Sequence, residues 1–259
     1  MSTLQAEPAL SGQASNWRVL LVGLGGLGCP AALALARAGV GTLRMCDDDV
    51  VDEGNLHRQI LFAADDVGTD KLDAAGRALG PVARASGTRV EFVRERFLPE
   101  NARQLARSVD LVIEGADNFA TKFLAADACH LEGRPVVHGA GLRWVGTAWS
   151  VAARGRPCYR CLFEDVPTGP QLNCDGAGVM GPVVGIVGAL MAELALRTLS
   201  GRGARPELWT LDGKADTLRE VPVAARASCP LCGTTPSILE IDEARYLSER
   251  SGLAESASS

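Results

Sequence analysis

Three glycines, an acid and a few cations set the chemical question of this chain. Gly23, Gly25 and Gly28 stand in the order G-x-G-x-x-G behind the apolar run Val19–Val22, which reads as a buried parallel strand. Ala31–Ala38 continues without a breaker, as a helix does. A second strand, Thr42–Cys46, ends on Asp47, about 20 residues past the glycines. Strand, glycine turn, helix, strand and acid in this order build a nucleotide site. Glycine lets the backbone approach phosphate, the helix start offers unpaired N–H groups, and the acid can take a ribose hydroxyl. Asn55, Arg58 and Gln59 follow in a polar loop, and Lys71 lies in the next helical stretch. Arginine gives phosphate a bidentate fork and lysine a point charge, although each alone also reads as an ordinary surface group. Asp117 falls just past the strand Val109–Ile113, in Glu114-Gly115-Ala116-Asp117-Asn118. A carboxylate there can hold Mg2+ against phosphate oxygens, or cap the helix that follows.

Cysteines form the second group. Cys158-Tyr-Arg-Cys161 and Cys229-Pro-Leu-Cys232 are C-x-x-C knuckles about 67 residues apart. Four thiolates supplied as two pairs fit a closed tetrahedral zinc site, which staples a lobe and leaves no position open for catalysis. A redox role needs a helix-start context that neither pair has. Cys174 lies in a loop beside Asp175 with no cation near it in sequence, and by composition reads as an ordinary exposed thiol. Cys29, Cys46 and Cys129 read as small core residues. His57, His130 and His138 are too scattered to suggest a triad, and Trp144 and Trp149 read as packing.

The elements that must position these groups alternate. Helices are expected at Asp66–Gly80, Glu100–Arg107 and Phe119–Leu131, and strands at Arg89–Arg94 and Pro135–His138, with Val145–Val151 extending the sheet in a different sense. The fold class is α/β: a Rossmann-like, doubly wound, mainly parallel sheet extended by a C-terminal lobe carrying the four-cysteine zinc site. Pro157–Ala177 reads as a long exposed loop. Pro182–Leu199 reads as a core helix with proline in its first turn, meeting Glu193 too early to span a bilayer. Short strands at Glu207–Leu211 and Leu218–Val223 close the pattern. Residues 1–16 form a flexible lead-in, 17–233 one domain whose nucleotide half runs to about 140, and 234–259 a tail.

Bulk properties narrow the classes. A chain of 259 residues with 47% hydrophobic and 22% charged content is ordinary for a soluble globular protein. A formal net charge of −5 with no basic stripe argues against nucleic acid. The N-terminus lacks the basic start and apolar centre of a signal peptide, so paired cysteines and a reducing cytoplasm are expected together, with no membrane role.

GLGGLG at 23–28, DDD at 47–49, NLHRQILF at 55–62, Lys71, ADN at 116–118, CYRCL at 158–162, NCDGAGVMGPVVG at 173–185 and the final CPLCG resemble the ThiF/MoeB/HesA family, bacterial relatives of ubiquitin-activating enzymes. The resemblance covers about residues 17–233 in one order. RQILF, GPVVG and LDGK at 211–214 favour the ThiF branch, which adenylates the sulfur carrier ThiS in thiamine biosynthesis, over the branch serving the MoaD-like carrier of the molybdopterin pathway. It implies Mg-ATP bound across Gly23, Gly25, Gly26 and Gly28, with Asp47 holding the ribose, Asp49 among the nucleotide-binding residues, and Asn55, Arg58, Gln59 and Lys71 around the phosphates. Asp117 would hold Mg2+ beside Asn118, and Cys158, Cys161, Cys229 and Cys232 would hold Zn2+. The Gly-Gly end of a small ubiquitin-fold carrier would thread under the 163–177 loop and attack the α-phosphate. Arg58, Lys71 and Asp117 would carry the adenylation, and Cys174 would serve later sulfur transfer from a separate persulfide donor. A homodimer is implied too. Members usually open with R-Y-x-R-Q about 30 residues before the glycine turn, with an arginine that reaches the partner's ATP, whereas the first arginine here is Arg18. A non-catalytic carrier-binding member is therefore one alternative, and a dinucleotide-dependent oxidoreductase using the same glycines is another.

Overall fold

The computed structural model describes residues 14–167, 178–202 and 207–246. Its centre is a single eight-stranded sheet in the order β3-β2-β1-β4-β5-β6-β7-β8. β1 (Arg18–Val22), β2 (Thr42–Cys46), β3 (Arg89–Val93), β4 (Leu111–Glu114) and β5 (Val136–Leu142) pair in parallel. β6 (Val145–Val151), β7 (Glu207–Asp212) and β8 (Thr217–Pro222) extend the β5 edge antiparallel, the change of sense expected at Val145. Parallel strands need crossovers and coverage on both faces, and the near-continuous apolar runs of β1 and β4 reflect that burial.

Alternate residues of β1 face different cores. Val19 and Leu21 pack with α1 (Gly28–Arg37), α2 (Lys71–Ser86) and α6 (Gly181–Leu199). Leu20 and Val22 pack with α3 (Pro99–Arg107) and α4 (Phe119–Glu132), and with the segment holding α5 (Tyr159–Phe163) and the four paired cysteines. α6 is long and apolar enough, by length and composition, to cross a membrane. Here Val183, Val184, Val187, Met191, Leu194 and Ala195 are buried against the sheet. Its exposed side carries Glu193, paired with Arg197 at 3.1 Å, as a core helix does.

Two expectations need correcting. α2 begins at Lys71, not Asp66, because Asp70 caps it by accepting from the Asp73 amide. It then runs through Pro81 and ends on the left-handed Gly87 (φ 78°). Pro157–Ala177 is not wholly an exposed loop: Cys158, Tyr159, Arg160 and Cys161 are buried, and the last three open α5. Cys174 and residues 168–177 lie outside the described residues.

Candidate nucleotide site and cysteine cluster

The glycine turn is built by backbone proximity. Gly23 has φ 86°, a conformation that costs a side chain, and its amide donates to Cys46 O at 2.9 Å, joining the ends of β1 and β2. A Cβ on Gly28 would overlap Gly23 O, so α1 can start this close to the strand only as glycine. Gly26 is packed by Val184 and by Arg58, whose Cγ lies 3.3 Å from where its Cβ would be. Gly25 is different: nothing lies within 4 Å of the position a Cβ would take. The fold needs glycine at the other three positions, and open space faces the fourth.

The predicted polar groups gather around this turn. Asp47 Oδ2 accepts from Leu24 N inside it at 2.6 Å, and Oδ1 accepts from Asp49 N at 2.9 Å. Burial raises the Asp47 carboxyl above its ordinary pKa in spite of the Lys71 charge and these two amides. Lys71 is buried, with Nζ 2.9 Å from Asp49 and 3.9 Å from Asp47. Burial alone would pull the ammonium down, but the two aspartates outweigh it and hold the pKa above the usual lysine value. Asn55, Arg58 and Gln59 share one turn, since the amides of Arg58 and Gln59 both donate to Asn55 O at 3.1 Å. Gln59 is 3% exposed, yet its Oε1 has no hydrogen-bond partner among the described residues. A buried orphan atom of this kind calls for a ligand or an ordered water.

Asp117 sits at the carboxyl end of β4, exposed. The capping role open to it belongs to its neighbour: Asn118 Oδ1 accepts from Thr121 N at 2.8 Å. The Asp117 carboxylate has no hydrogen bond or ion pair among the described residues and is free to take a cation. The turn before it rests on the glycines, because a Cβ on Gly23 would come within 3.3 Å of Gly115 O and 3.4 Å of Ala116 N. Thus Gly23, Gly25, Gly26, Gly28, Asp47, Asp49, Asn55, Arg58, Gln59, Lys71, Asp117 and Asn118 line one end of the sheet, the carboxyl ends of β1, β2 and β4 where open α/β sheets bind ligands.

Cys158, Cys161, Cys229 and Cys232 come together elsewhere, on the α4 side of the sheet. All four sulfurs lie within 4.8 Å of one another, with Cys158–Cys229 at 3.5 Å and Cys161–Cys232 at 3.4 Å. A disulfide bond is about 2.05 Å, whereas a Zn–S tetrahedron with bonds of about 2.3 Å has edges of about 3.8 Å. The thiols are free and buried, and the donor set could hold a zinc ion. Arg226 N donates to Cys161 Sγ at 3.4 Å, an outer contact that orients a ligand sulfur.

Two charged groups escaped the sequence reading. Arg160, between the first two cysteines, is 1% exposed and forks onto Asp127 of α4 at 2.8 Å through both Nε and Nη2. Tyr246 OH donates to the same carboxylate at 2.7 Å. At the end of β4, Glu114 meets Lys122 of α4 and His138 of β5. A charged residue ending a buried strand, and Lys122 and Asp127 set among the apolar residues of α4, were the available signals.

The ThiF family profile matches residues 6–231. The chain is 39% identical over 246 residues to the SAMP-activating enzyme E1 of Haloferax volcanii, covering 92% of this chain and 89% of that protein. It is 36% identical to the adenylyltransferase and sulfurtransferase MOCS3 of Dictyostelium discoideum, covering 90% of this chain and 56% of that protein, so it spans about half the length of that relative. Among solved structures, E. coli MccB with MccA-N7isoASN superposes with a TM-score of 0.76 at 19% identity, covering 87% of this chain and 69% of MccB; it shares the fold.

Proposed function

The chain belongs to the ThiF family, and on that premise we propose that it activates the C-terminal glycine of a small ubiquitin-like sulfur carrier with ATP. It is an adenylyltransferase. A carrier carboxylate oxygen attacks the α-phosphorus, the bond from that phosphorus to the bridging oxygen breaks, and pyrophosphate leaves with the electron pair. The attacking group is already an anion, so no proton has to move. Two anionic reactants need alignment and positive charge more than an acid–base pair.

This chain's residues supply that. Asp47 takes the ribose, and Arg58 and Lys71 bring cationic groups to the phosphates beside Asn55, Gln59 and Asn118, with Asp49 holding the Lys71 ammonium at 2.9 Å. Asp117 holds Mg2+, which when bound neutralises phosphate charge. Zn2+ on the four paired cysteines fixes the C-terminal lobe and takes no part in the reaction. Cys174 acts after adenylation, in sulfur transfer from a separate persulfide donor, so Cys174→Ser should leave adenylation intact and slow thiocarboxylate formation. The enzyme works as a cytoplasmic homodimer. The carrier is ThiS-like, its sulfur destined for thiamine or a related cofactor. The 39% identity to a SAMP-activating enzyme favours a SAMP-like carrier as the second reading.

The observation that supports adenylation most is Gly25, a motif glycine the fold does not require, with nothing within 4 Å of the position its Cβ would take. Carrier-dependent exchange of pyrophosphate into ATP tests it. Wild-type protein should exchange and Asp117→Ala should not. A protein that shifts thermally with NAD and not with Mg-ATP would be the oxidoreductase instead.

A further inference from the structure

Glu114 ends β4 with a carboxylate that is wholly buried. Oε1 accepts from Ala116 N at 2.7 Å and from Lys122 Nζ at 3.1 Å. Oε2 takes Lys122 Nζ at 3.1 Å and lies 3.2 Å from His138 Nδ1. Lys122 spends a further N–H on Gly139 O of β5 at 2.5 Å. Burial pulls the His138 ring below its ordinary pKa, so a neutral imidazole and one ammonium face the carboxylate. A buried ion pair persists only with good geometry and its hydrogen bonds made: Glu114 and Lys122 meet that condition, and in the group only His138 Nε2 is buried without a partner among the described residues.

The Ala116 amide is the one directly before Asp117. Gly115 N donates to Val22 O at 3.0 Å, so the turn is pinned from β1 on one side and from Glu114 on the other. α4 and β5 hold the pin through Lys122 and His138. We propose that Glu114 is the positioning residue for Asp117, its carboxylate fixing the turn that presents the Asp117 side chain to the phosphate-bound metal. This rests on the nucleotide reading above and adds to it a residue that touches neither substrate nor metal.

Two variants separate reach from charge. Glu114→Asp keeps the charge facing Lys122 but withdraws the acceptor from Ala116 N. Glu114→Gln combined with Lys122→Met keeps an acceptor of full length and buries no lone charge. Two readouts are compared in the full chain: amide hydrogen exchange over residues 115–118 without ligand, and Mn2+–ATP affinity by electron paramagnetic resonance. Glu114→Asp should speed exchange in the turn about tenfold and weaken Mn2+–ATP about 10–100-fold, the range for an outer residue that orients a metal ligand. Its metal-free ATP affinity should stay within about threefold. The Gln/Met pair should stay near wild type in both. Unchanged turn exchange in folded Glu114→Asp, or equal loss of metal-free and metal-loaded ATP, overturns the proposal; so does a Gln/Met pair that folds and behaves like Glu114→Asp. Should the Gln/Met pair not fold, Glu114→Asp alone decides. If wild-type protein binds no Mn2+–ATP, the nucleotide reading falls, and the exchange rates still decide whether Glu114 holds the turn.

Discussion

Around the glycine turn, polar atoms face open space: Asp117 has no partner among the described residues, Gln59 Oε1 is orphaned, and Gly25 looks onto an empty approach. Around the paired cysteines the arrangement closes on itself. Four buried sulfurs lie within 4.8 Å of one another, and the residues between the first two, Tyr159 and Arg160, are anchored on Phe123 and Asp127. The first region keeps hydrogen-bonding capacity for something that comes and goes. The second fits an ion that stays. One sheet thus carries an open polar region at one place and a closed, buried thiol cluster at another.

The contrast predicts separable damage, greatest at the cysteines. Cys229→Ser, or a strong chelator, should destabilise the fold by about 4–5 kcal/mol or more, as loss of a structural metal does. For a chain of this size that is a melting temperature lower by on the order of 10 °C or more, with about one zinc per chain found in untreated protein by elemental analysis. Equal melting curves with and without chelator would break the comparison from this side.

Next come the glycines. Gly25→Ala should melt with wild type, within about 0.5 kcal/mol, because its Cβ meets nothing. Its ATP affinity should nonetheless drop severalfold or more in calorimetry, because the new methyl group stands where phosphate approaches. Gly28→Ala should lose stability as well as binding, since its Cβ overlaps Gly23 O. If both variants behave alike, the open space at Gly25 has no ligand to serve.

A smaller effect tests how the C-terminal segment is held. Tyr246→Phe removes the hydroxyl donated to Asp127 at 2.7 Å and should cost about 1 kcal/mol in urea unfolding, leaving ATP binding untouched. Smallest is Glu132, whose carboxylate takes Arg103 Nε at 2.6 Å and Arg107 Nε at 2.7 Å. The Arg107 hydrogen bond, aided by Arg103, holds its pKa down at about 2. Between about pH 4.5 and pH 2 the unfolded chain binds a proton that the folded chain does not, so the stabilisation is full at neutral pH and fades as pH falls through that window. Both arginines are largely exposed, so the effect is modest. Melting of Glu132→Gln should be flatter over the same range.

Much of this was legible in residues alone. β2 falls on Thr42–Cys46 as read, and the antiparallel turn of the sheet at Val145 and both cysteine pairs are where spacing put them. What escaped has physical reasons. α2 runs past the expected end at Gly80, because the helix absorbs Pro81 and continues to Ser86. α5 has five residues, too few to show a helical period, so its burial was invisible. The Glu114–Lys122–His138 group is assembled from β4, α4 and β5, and nothing in a linear pattern says that those three side chains meet.

The central claim is that the open region joins AMP to a protein tail. Intact-mass measurement of a purified carrier ending in Gly-Gly, after incubation with this protein, ATP and Mg2+, tests it most directly. The account predicts a carrier heavier by one AMP, abolished by Asp117→Ala and by deleting the last glycine of the tail. Unmodified carrier from each ThiS-like, MoaD-like and SAMP-like candidate, under conditions where the protein binds ATP, would contradict it.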